Sequence, residues 1–524
     1  MWFKNTHSFV KTVSIKKLSM QIKNNTLATA CVLLLILMVL VNLIGALGPE
    51  LAFDSLWYHL TLPKLYLLHH TIYYIPGGLL YYSVMPKLGE MLYTGVLTFG
   101  NELFAKVLHF FFGIFSILAV YKLSRKFVNR TVSLLIVVIF YSNLVVATES
   151  ITAYIDLIRT FFEILSLWAF LNWYETKKLS SIVILGIFTG LTITTKDLGI
   201  GSMLLYSILV TIISVQLVHN KKSSKSSKNS HTRRNIVAYT KPVVTNVLLY
   251  WVISILIPLP WFIFSFITTG NPVYPFFSPI YPIQPSHFSL IAFFVTVWNL
   301  LLYSPDPLSP MYLISIPLLF VTYRAFSKEL KIIVWYCVIS LVIWYFTPQT
   351  GGGRFILPYL PAFSIIVGAI YSTLVSKTGN NYKLIPKVLL FSIILISVIT
   401  LSYRFIANKK YIPVIIGKET KSEFLTNKLN FSFGDFYDTD NYFATHITSS
   451  DTVLLYGFHN LYYVDFPYID SSWVKKGDSF DYIATQKSKL PKRFDNWQLV
   501  YSNDKSMVQL YMPKKGDCKQ TCYY

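Results

Sequence analysis

Charge is what this chain most conspicuously lacks. Of its 524 residues only 13% are Asp, Glu, Lys or Arg, about half the roughly 25% of a soluble globular protein. Acidic side chains are scarcer still, 24 against 46 basic ones. Cysteine is nearly missing, with four in the whole chain, which excludes a disulfide scaffold. Cys31 and Cys337 fall inside apolar runs and read as small core residues. Cys518 and Cys522 form a C-x3-C near the end that can pair in an oxidising compartment, and two ligands are too few for zinc. What fills the chain instead is apolar: 54% hydrophobic and 17% aromatic, so a soluble enzyme of ordinary composition is excluded.

The few charges are unevenly placed. Residues 404–524 carry 16 basic and 13 acidic residues, an ordinary soluble density, whereas residues 1–403 carry 30 and 11. The expected fold class is therefore a multi-span α-helical membrane protein followed by a small C-terminal α/β domain. Eleven runs are apolar and long enough to cross a bilayer: 26–47, 103–121, 131–148, 151–172, 179–195, 198–217, 243–267, 309–323, 330–347, 355–376 and 386–403. Residues 1–25 form a polar, basic N-terminus, and the run that follows lacks a small-residue cleavage site, so it reads as a retained first span. Residues 287–303 read as an interfacial or re-entrant helix, and Gly89 to Gly100 as a segment lying along the membrane face.

Lys and Arg in short loops stay on the cytoplasmic side. Alternate connections of the eleven-span scheme hold 24 basic residues against only Glu175 and Glu329. The reading is a multi-pass protein of the cell membrane with a cytoplasmic N-terminus, outer loops at 48–102 and 268–308, a basic cytoplasmic loop at 218–242 and residues 404–524 outside the cytoplasm. That distribution accounts for the whole net charge of +22. Nucleic acid is excluded as a partner, because no aromatic platform or nucleic-acid-binding fold accompanies the basic loop. In the tail, VLLYGF, LYYVDF, FDYIAT, WQLVYS and MVQLYM read as short strands, the last two as a hairpin. Tyr462, Tyr463 and Trp473 are expected to fill that domain's own core.

A charge at membrane depth costs roughly 2.5 to 3.5 kcal/mol on insertion scales, so each one needs a reason. The topology gathers Asp54, Lys87, Asp156, Lys196 with Asp197, and Arg354 at the outer face, although they come from separate spans. Asp54 and Asp156 lack a local partner. Arg354 follows three glycines, a backbone that can fold round an anion. By contrast Glu102 with Lys106, and Arg159 with Glu163, stand four apart on helices and are expected to neutralise each other. The turn around Gly270, Pro272 and Pro275 is stiff, and Tyr274, Phe276 and Phe277 give it an apolar wall.

The motifs FDSLWYHLTLPKLY, MPKLGEML, TAYIDL, GNPVYPFF and GGGRFILPYLP, in this order, resemble the GT-C class of integral-membrane glycosyltransferases. The pattern is similar to that of the lipopolysaccharide-core galacturonosyltransferases, the lipid A aminoarabinose transferase and the protein O-mannosyltransferases, over roughly residues 26–403. The resemblance implies inverting transfer, at the outer face, of a sugar from a polyprenyl-phosphate donor in the membrane to a hydroxyl of a glycan, lipid or protein. It puts Asp54 and Asp156 in catalytic positions and Lys87 and Arg354 on donor phosphate; Lys196, at the same face, is added to the phosphate candidates on its charge and place alone. Glu50, Tyr58, His59, Asn271 and Tyr274 are secondary candidates for substrate contacts. Asp54 is followed by Ser55 where many relatives carry a second acid, and Met85-Pro86-Lys87-Leu88 stands where some have Lys-Pro-Pro. A divalent cation on Asp54 and Asp156 stays open as a cofactor, and neither sugar, acceptor nor oligomeric state is legible. The rival reading is a lipid-linked saccharide transporter or flippase, whose polar groups would be expected near the bilayer midplane rather than at one face.

Overall fold

The computed structural model describes residues 25–224, 233–279, 289–304, 307–347, 349–377, 384–514 and 522–523. The basic N-terminus up to residue 24, the Ser/Lys-rich stretch 225–232 and Cys518 lie outside the described residues.

Asparagine opens three of the long helices by accepting an amide hydrogen bond from the first turn. Asn25 caps α1 (Thr26–Ala46), Asn101 caps α4 (Glu102–Ser124) and Asn129 caps α5 (Arg130–Tyr141). Between α1 and α4 run α2 (Thr61–His69) and α3 (Leu88–Leu97). There follow α6 (Leu144–Glu149), α7 (Asp156–Thr176), α8 (Leu179–Thr195), α9 (Gly199–Ser224), α10 (Arg233–Leu256) and α11 (Leu259–Thr269). The membrane part closes with α12 (Leu290–Leu302), α13 (Met311–Thr322), α14 (Lys328–Tyr345), α15 (Leu360–Lys377) and α16 (Leu384–Asn408). α5 is apolar and buried all round, which makes it a central helix of the bundle.

The expected spans are not all single straight helices. Among the described residues five helices are long and apolar enough to cross a membrane, and α10 with α11 makes a sixth across a 62° bend. The run 131–148 breaks at Ser142 into α5 and α6, and the run 151–172 becomes helical only from Asp156. Apolarity alone does not register these breaks, because the unwound residues are themselves buried among helices where their polar groups find partners. α16 continues past residue 403, and its Arg404, buried over the Tyr141 ring, donates to the carbonyl of Asn143.

Neither expected i,i+4 pair closes as an ion pair. Lys106 donates to the carbonyls of Gly45, Gly48 and Pro49 at 3.0, 2.7 and 3.1 Å. It thereby serves the C-terminal end of α1, where carbonyls lack helical partners and a cation is favoured. Glu102 instead meets Lys421 at 2.6 Å and the hydroxyl of Tyr463 at 3.3 Å. Glu163 accepts from Tyr206 and Tyr336 at 2.9 and 2.6 Å, while Arg159 donates to the Leu198 carbonyl at 3.2 Å.

The C-terminal domain holds a five-stranded sheet. With β1 (Val453–Tyr456), β2 (Tyr468–Asp470), β3 (Ser479–Phe480), β4 (Tyr482–Gln486), β5 (Gln498–Asn503) and β6 (Val508–Met512), the order is β2-β1-β4-β6-β5. β1 runs parallel to β2 and β4, and β6 antiparallel to β4 and β5. The β5–β6 hairpin is as expected, but LYYVDF is not a strand. It is a clamp on the membrane part: Lys64 donates to the carbonyls of Tyr462 and Val464, each at 2.8 Å, and pairs with Asp465 at 2.6 Å. Tyr462 and Tyr463 therefore do not fill the sheet's core. Tyr463 donates to the Glu50 carbonyl at 3.0 Å. Leu62, Leu65, Tyr66, Ile75 and Leu79 of the first long loop share one apolar cluster with Val453, Leu455 and Leu510 of the sheet.

Candidate active site

Five chain segments, one of them the stretch 81–90, converge on one cavity of about 290 Å³, among whose lining residues are Asp54, Tyr58, His59, Glu90, Lys196 and Arg354. The first segment owes its shape to a π-turn over Ser55–His59, in which the Leu60 amide reaches back to the Ser55 carbonyl at 2.9 Å. The wider turn, a feature that recurs at functional sites, lets Asp54, Tyr58 and His59 all face the cavity. Tyr58 stacks on Tyr82, ring centroids 3.8 Å apart.

The second and third segments meet through their helix ends. Asp156 is the first residue of α7 and Lys196 caps the end of α8, the two placements that the helix dipoles favour for an anion and a cation. Because α7 and α8 are consecutive and antiparallel, these ends adjoin, and Lys196 Nζ lies 2.8 Å from Asp156 Oδ1. Burial pulls the Lys196 ammonium below its usual pKa, and Asp156 acts against that.

Arg354 comes from the fourth segment, the turn Gln349–Phe355, where Gly352 takes φ 52° and ψ −132°, a conformation that side chains other than hydrogen resist. Its guanidinium joins three acids. Nη1 lies 2.8 Å from Asp54 Oδ2, Nη2 3.2 Å from Asp156 Oδ2 and Nε 3.1 Å from Glu149 Oε1. Its flat face covers the Tyr154 ring at 4.0 Å. Burial disfavours the charged guanidinium, but Asp156, Glu149 and Asp54 outweigh it and hold its pKa well above the usual value.

Two groups escaped the sequence reading. Glu149 ends α6 and is fully buried; its signal was an acid at the edge of an apolar run, with no basic residue within four positions. Glu90, on α3, meets His59 Nδ1 at 2.6 Å, and both are buried in the cavity wall. Asp197, grouped by sequence with Lys196 at the outer face, is buried, and burial pushes its carboxyl up to about 8 while Lys87 and Lys196 oppose the shift.

The remaining candidates stand apart. Lys87 is fully buried and is not among the cavity's lining residues; its Nζ donates to the Met85 carbonyl at 2.8 Å and lies 5.0 Å from the Trp261 ring. Burial pulls its ammonium down to about 7. Glu50 is an anchor for backbone: Oε1 accepts from the amides of Leu51 and Ala52, each at 2.8 Å, and Oε2 from Ala153 at 2.6 Å. Asn271 ties its own turn together by donating to the Phe276 carbonyl at 2.6 Å, and neither it nor Tyr274 lines the cavity.

The acids do not make a cation site. Asp54 and Asp156 spend their Oδ2 atoms on one guanidinium, and Asp156 spends Oδ1 on an ammonium, so a divalent ion between them would sit against two fixed cations. Among the described residues no group of three His, Cys, Asp or Glu is arranged to hold a metal.

Residues 73–270 match the family model of dolichyl-phosphate-mannose-protein mannosyltransferase. A search of curated protein sequences finds no match. Among solved structures, the chain is similar to ArnT from Cupriavidus metallidurans bound to undecaprenyl phosphate, at 12% identity and a TM-score of 0.59, covering 92% of this chain and 97% of that one. The apo state of the same ArnT aligns at 11% identity and a TM-score of 0.54 over the same shares. At these identities the structural matches show the fold, which is ArnT-like over nearly the whole chain.

Proposed function

We propose that the protein moves a sugar from a polyprenyl-phosphate donor to a hydroxyl of a glycan, lipid or protein acceptor, with inversion, at the outer face of the cell membrane. The observation that carries this reading is the cavity whose wall holds Asp54, Lys196 and Arg354, the two cations being fixed by ion pairs to Asp156 and Glu149. The family model names a lipid-phosphate sugar donor, and the similar ArnT structure holds undecaprenyl phosphate.

Glycosyl transfer needs two charges managed at once. As the acceptor oxygen bonds to the anomeric carbon its proton must leave, and Asp54, the acid with 22% of its side chain still exposed, is the group placed to take it. On the other side of that carbon the bond to the phosphate oxygen breaks, and its electron pair stays on the lipid phosphate. Lys196 and Arg354 face that growing negative charge in a largely dehydrated wall, where fixed cations act most strongly. Asp156 orients both cations and does not touch the reacting atoms. Lys87 supports the wall from behind, next to Glu90 and Asp197.

The test has two parts. Mass spectrometry of lipid co-purified with the full chain should find a polyprenyl phosphate or its sugar conjugate. Reconstituted protein given radiolabelled polyprenyl-phosphate sugars should transfer label to a hydroxyl acceptor, and Asp54→Asn should abolish transfer while leaving expression and thermal unfolding unchanged. Transfer by Asp54→Asn at the wild-type rate would remove Asp54 as the base.

A further inference from the structure

The ion pairs in the cavity pose a competition. Arg354 Nη1 is 2.8 Å from Asp54, and a phosphate oxygen seeking the same N–H must displace that carboxylate. The three acids differ in what displacement costs them. Asp156 and Glu149 have no exposed side-chain surface, whereas Asp54 has 22%, so water can replace Arg354 at Asp54 alone. Asp156 also retains Lys196 at 2.8 Å when Arg354 turns toward a ligand. Asp54 is thus the partner that Arg354 can give up.

We propose that Arg354 is a positioning residue for Asp54, holding its carboxylate in an ion pair until the donor phosphate takes the guanidinium and frees Asp54 to accept the acceptor's proton. The proposal rests on the reading of this cavity as the donor-phosphate site. While Arg354 Nη1 donates to Asp54 Oδ2 at 2.8 Å, that oxygen is occupied; once the guanidinium turns to phosphate, the oxygen is free to accept the hydroxyl's proton. The formal charge of the cage agrees with this order: three acids and two cations leave −1, an arriving phosphate makes the site more negative, and the transferred proton offsets charge that the donor brings. A hydroxyl that enters first meets an occupied carboxylate, which makes the order donor first, acceptor second.

Coupling of this kind is reciprocal. If phosphate weakens the Arg354–Asp54 pair, then removing the Asp54 charge must tighten phosphate. The probe is undecaprenyl phosphate, which carries the phosphate without a sugar, titrated against the purified full chain in nanodiscs. Asp54→Asn should bind it about 5-fold or more tightly than wild type, and Asp54→Ala should shift in the same direction. Arg354→Ala and Lys196→Ala should weaken it. Unchanged or weaker binding in both Asp54 variants, with Arg354→Ala still weakened, overturns the hold on Asp54 and leaves the phosphate site standing. Binding unaffected by Arg354→Ala and Lys196→Ala overturns the phosphate reading itself, and the proposal with it.

Discussion

Arg354→Lys separates charge from geometry. The substitution keeps the positive charge but replaces three fixed nitrogens, which now reach Asp54, Asp156 and Glu149 at 2.8, 3.2 and 3.1 Å, with one. A single ammonium on a flexible stem cannot span three acids from three segments. Asp156 keeps Lys196 and Asp54 keeps partial access to water, so the loss concentrates on fully buried Glu149. Breaking a buried ion pair by removing one partner costs about 3 to 5 kcal/mol. The residual attraction of the new ammonium offsets part of this, so a loss of roughly 3 kcal/mol is expected. The assay is thermal unfolding of the detergent-solubilised full chain at pH 7 and pH 5. The variant should melt well below wild type at pH 7, and the gap should narrow at pH 5, where an acid stripped of its cation is relieved by taking up a proton. Equal melting at pH 7, or a gap independent of pH, would refute the reasoning, because either result means that charge alone suffices at this position.

Asp197→Asn tests the buried carboxyl behind the cavity. With its pKa raised to about 8, the native state holds a proton that the unfolded chain releases near the ordinary carboxyl value. Wild-type stability should therefore fall, by up to about 1.4 kcal/mol per pH unit, from that value up to about pH 8. The variant's melting-temperature advantage should grow over this window and level off above it; a gap constant with pH would contradict the burial. His59→Asn strands Glu90, so a cycle with Glu90→Gln should show coupling of about 1 kcal/mol or more in unfolding, and additive losses would argue against the 2.6 Å contact. Lys64→Ala removes three contacts to residues 462–465 and should raise hydrogen–deuterium exchange across 461–466 while sparing β4 and β6. Unchanged exchange would mean that the clamp does not depend on Lys64.

What the sequence made legible was placement rather than pairing. Asp54, Asp156, Lys196 and Arg354 could be gathered in advance because basic loops orient a membrane chain, and each of the four stands near a span end on the side that those loops leave without cations. Which acid meets which cation was not legible, because Arg354 lies 300 and 198 positions from Asp54 and Asp156. Local spacing misled where tertiary partners were better: Lys106 stands four residues from Glu102, yet three carbonyls at and just past the end of α1 hold it. LYYVDF has the alternation of a strand, but a period of two says nothing about which surface receives the side chains. Here Tyr463 goes to Glu50 and Glu102, and the strand begins only at Tyr468.

The clamp also supplies a reason for the C-terminal domain to be fused to this membrane part. Tyr463 donates to the backbone carbonyl of Glu50, and the Glu50 side chain holds the amide of Ala153. One residue on, Tyr154 forms the platform under Arg354, and its own carbonyl accepts from Tyr93 of α3. An unwound segment before α7 has few intrahelical hydrogen bonds to fix it, so its position depends on such outside partners. Since Arg354 stacks on that segment while reaching three acids, a shift of the 150–155 loop would move the guanidinium out of register with all of them. The sheet domain thus reaches the cavity without lining it, through one tyrosine hydroxyl, one buried glutamate and one aromatic ring, and Tyr463→Phe cuts that path together with the hydroxyl's contact to Glu102. It should leave the sheet folded, as judged by unchanged exchange in β1 and β4, while raising exchange across 150–155 and weakening undecaprenyl phosphate binding. Loosened exchange without any loss of phosphate binding would show that Arg354 is held by its acids alone.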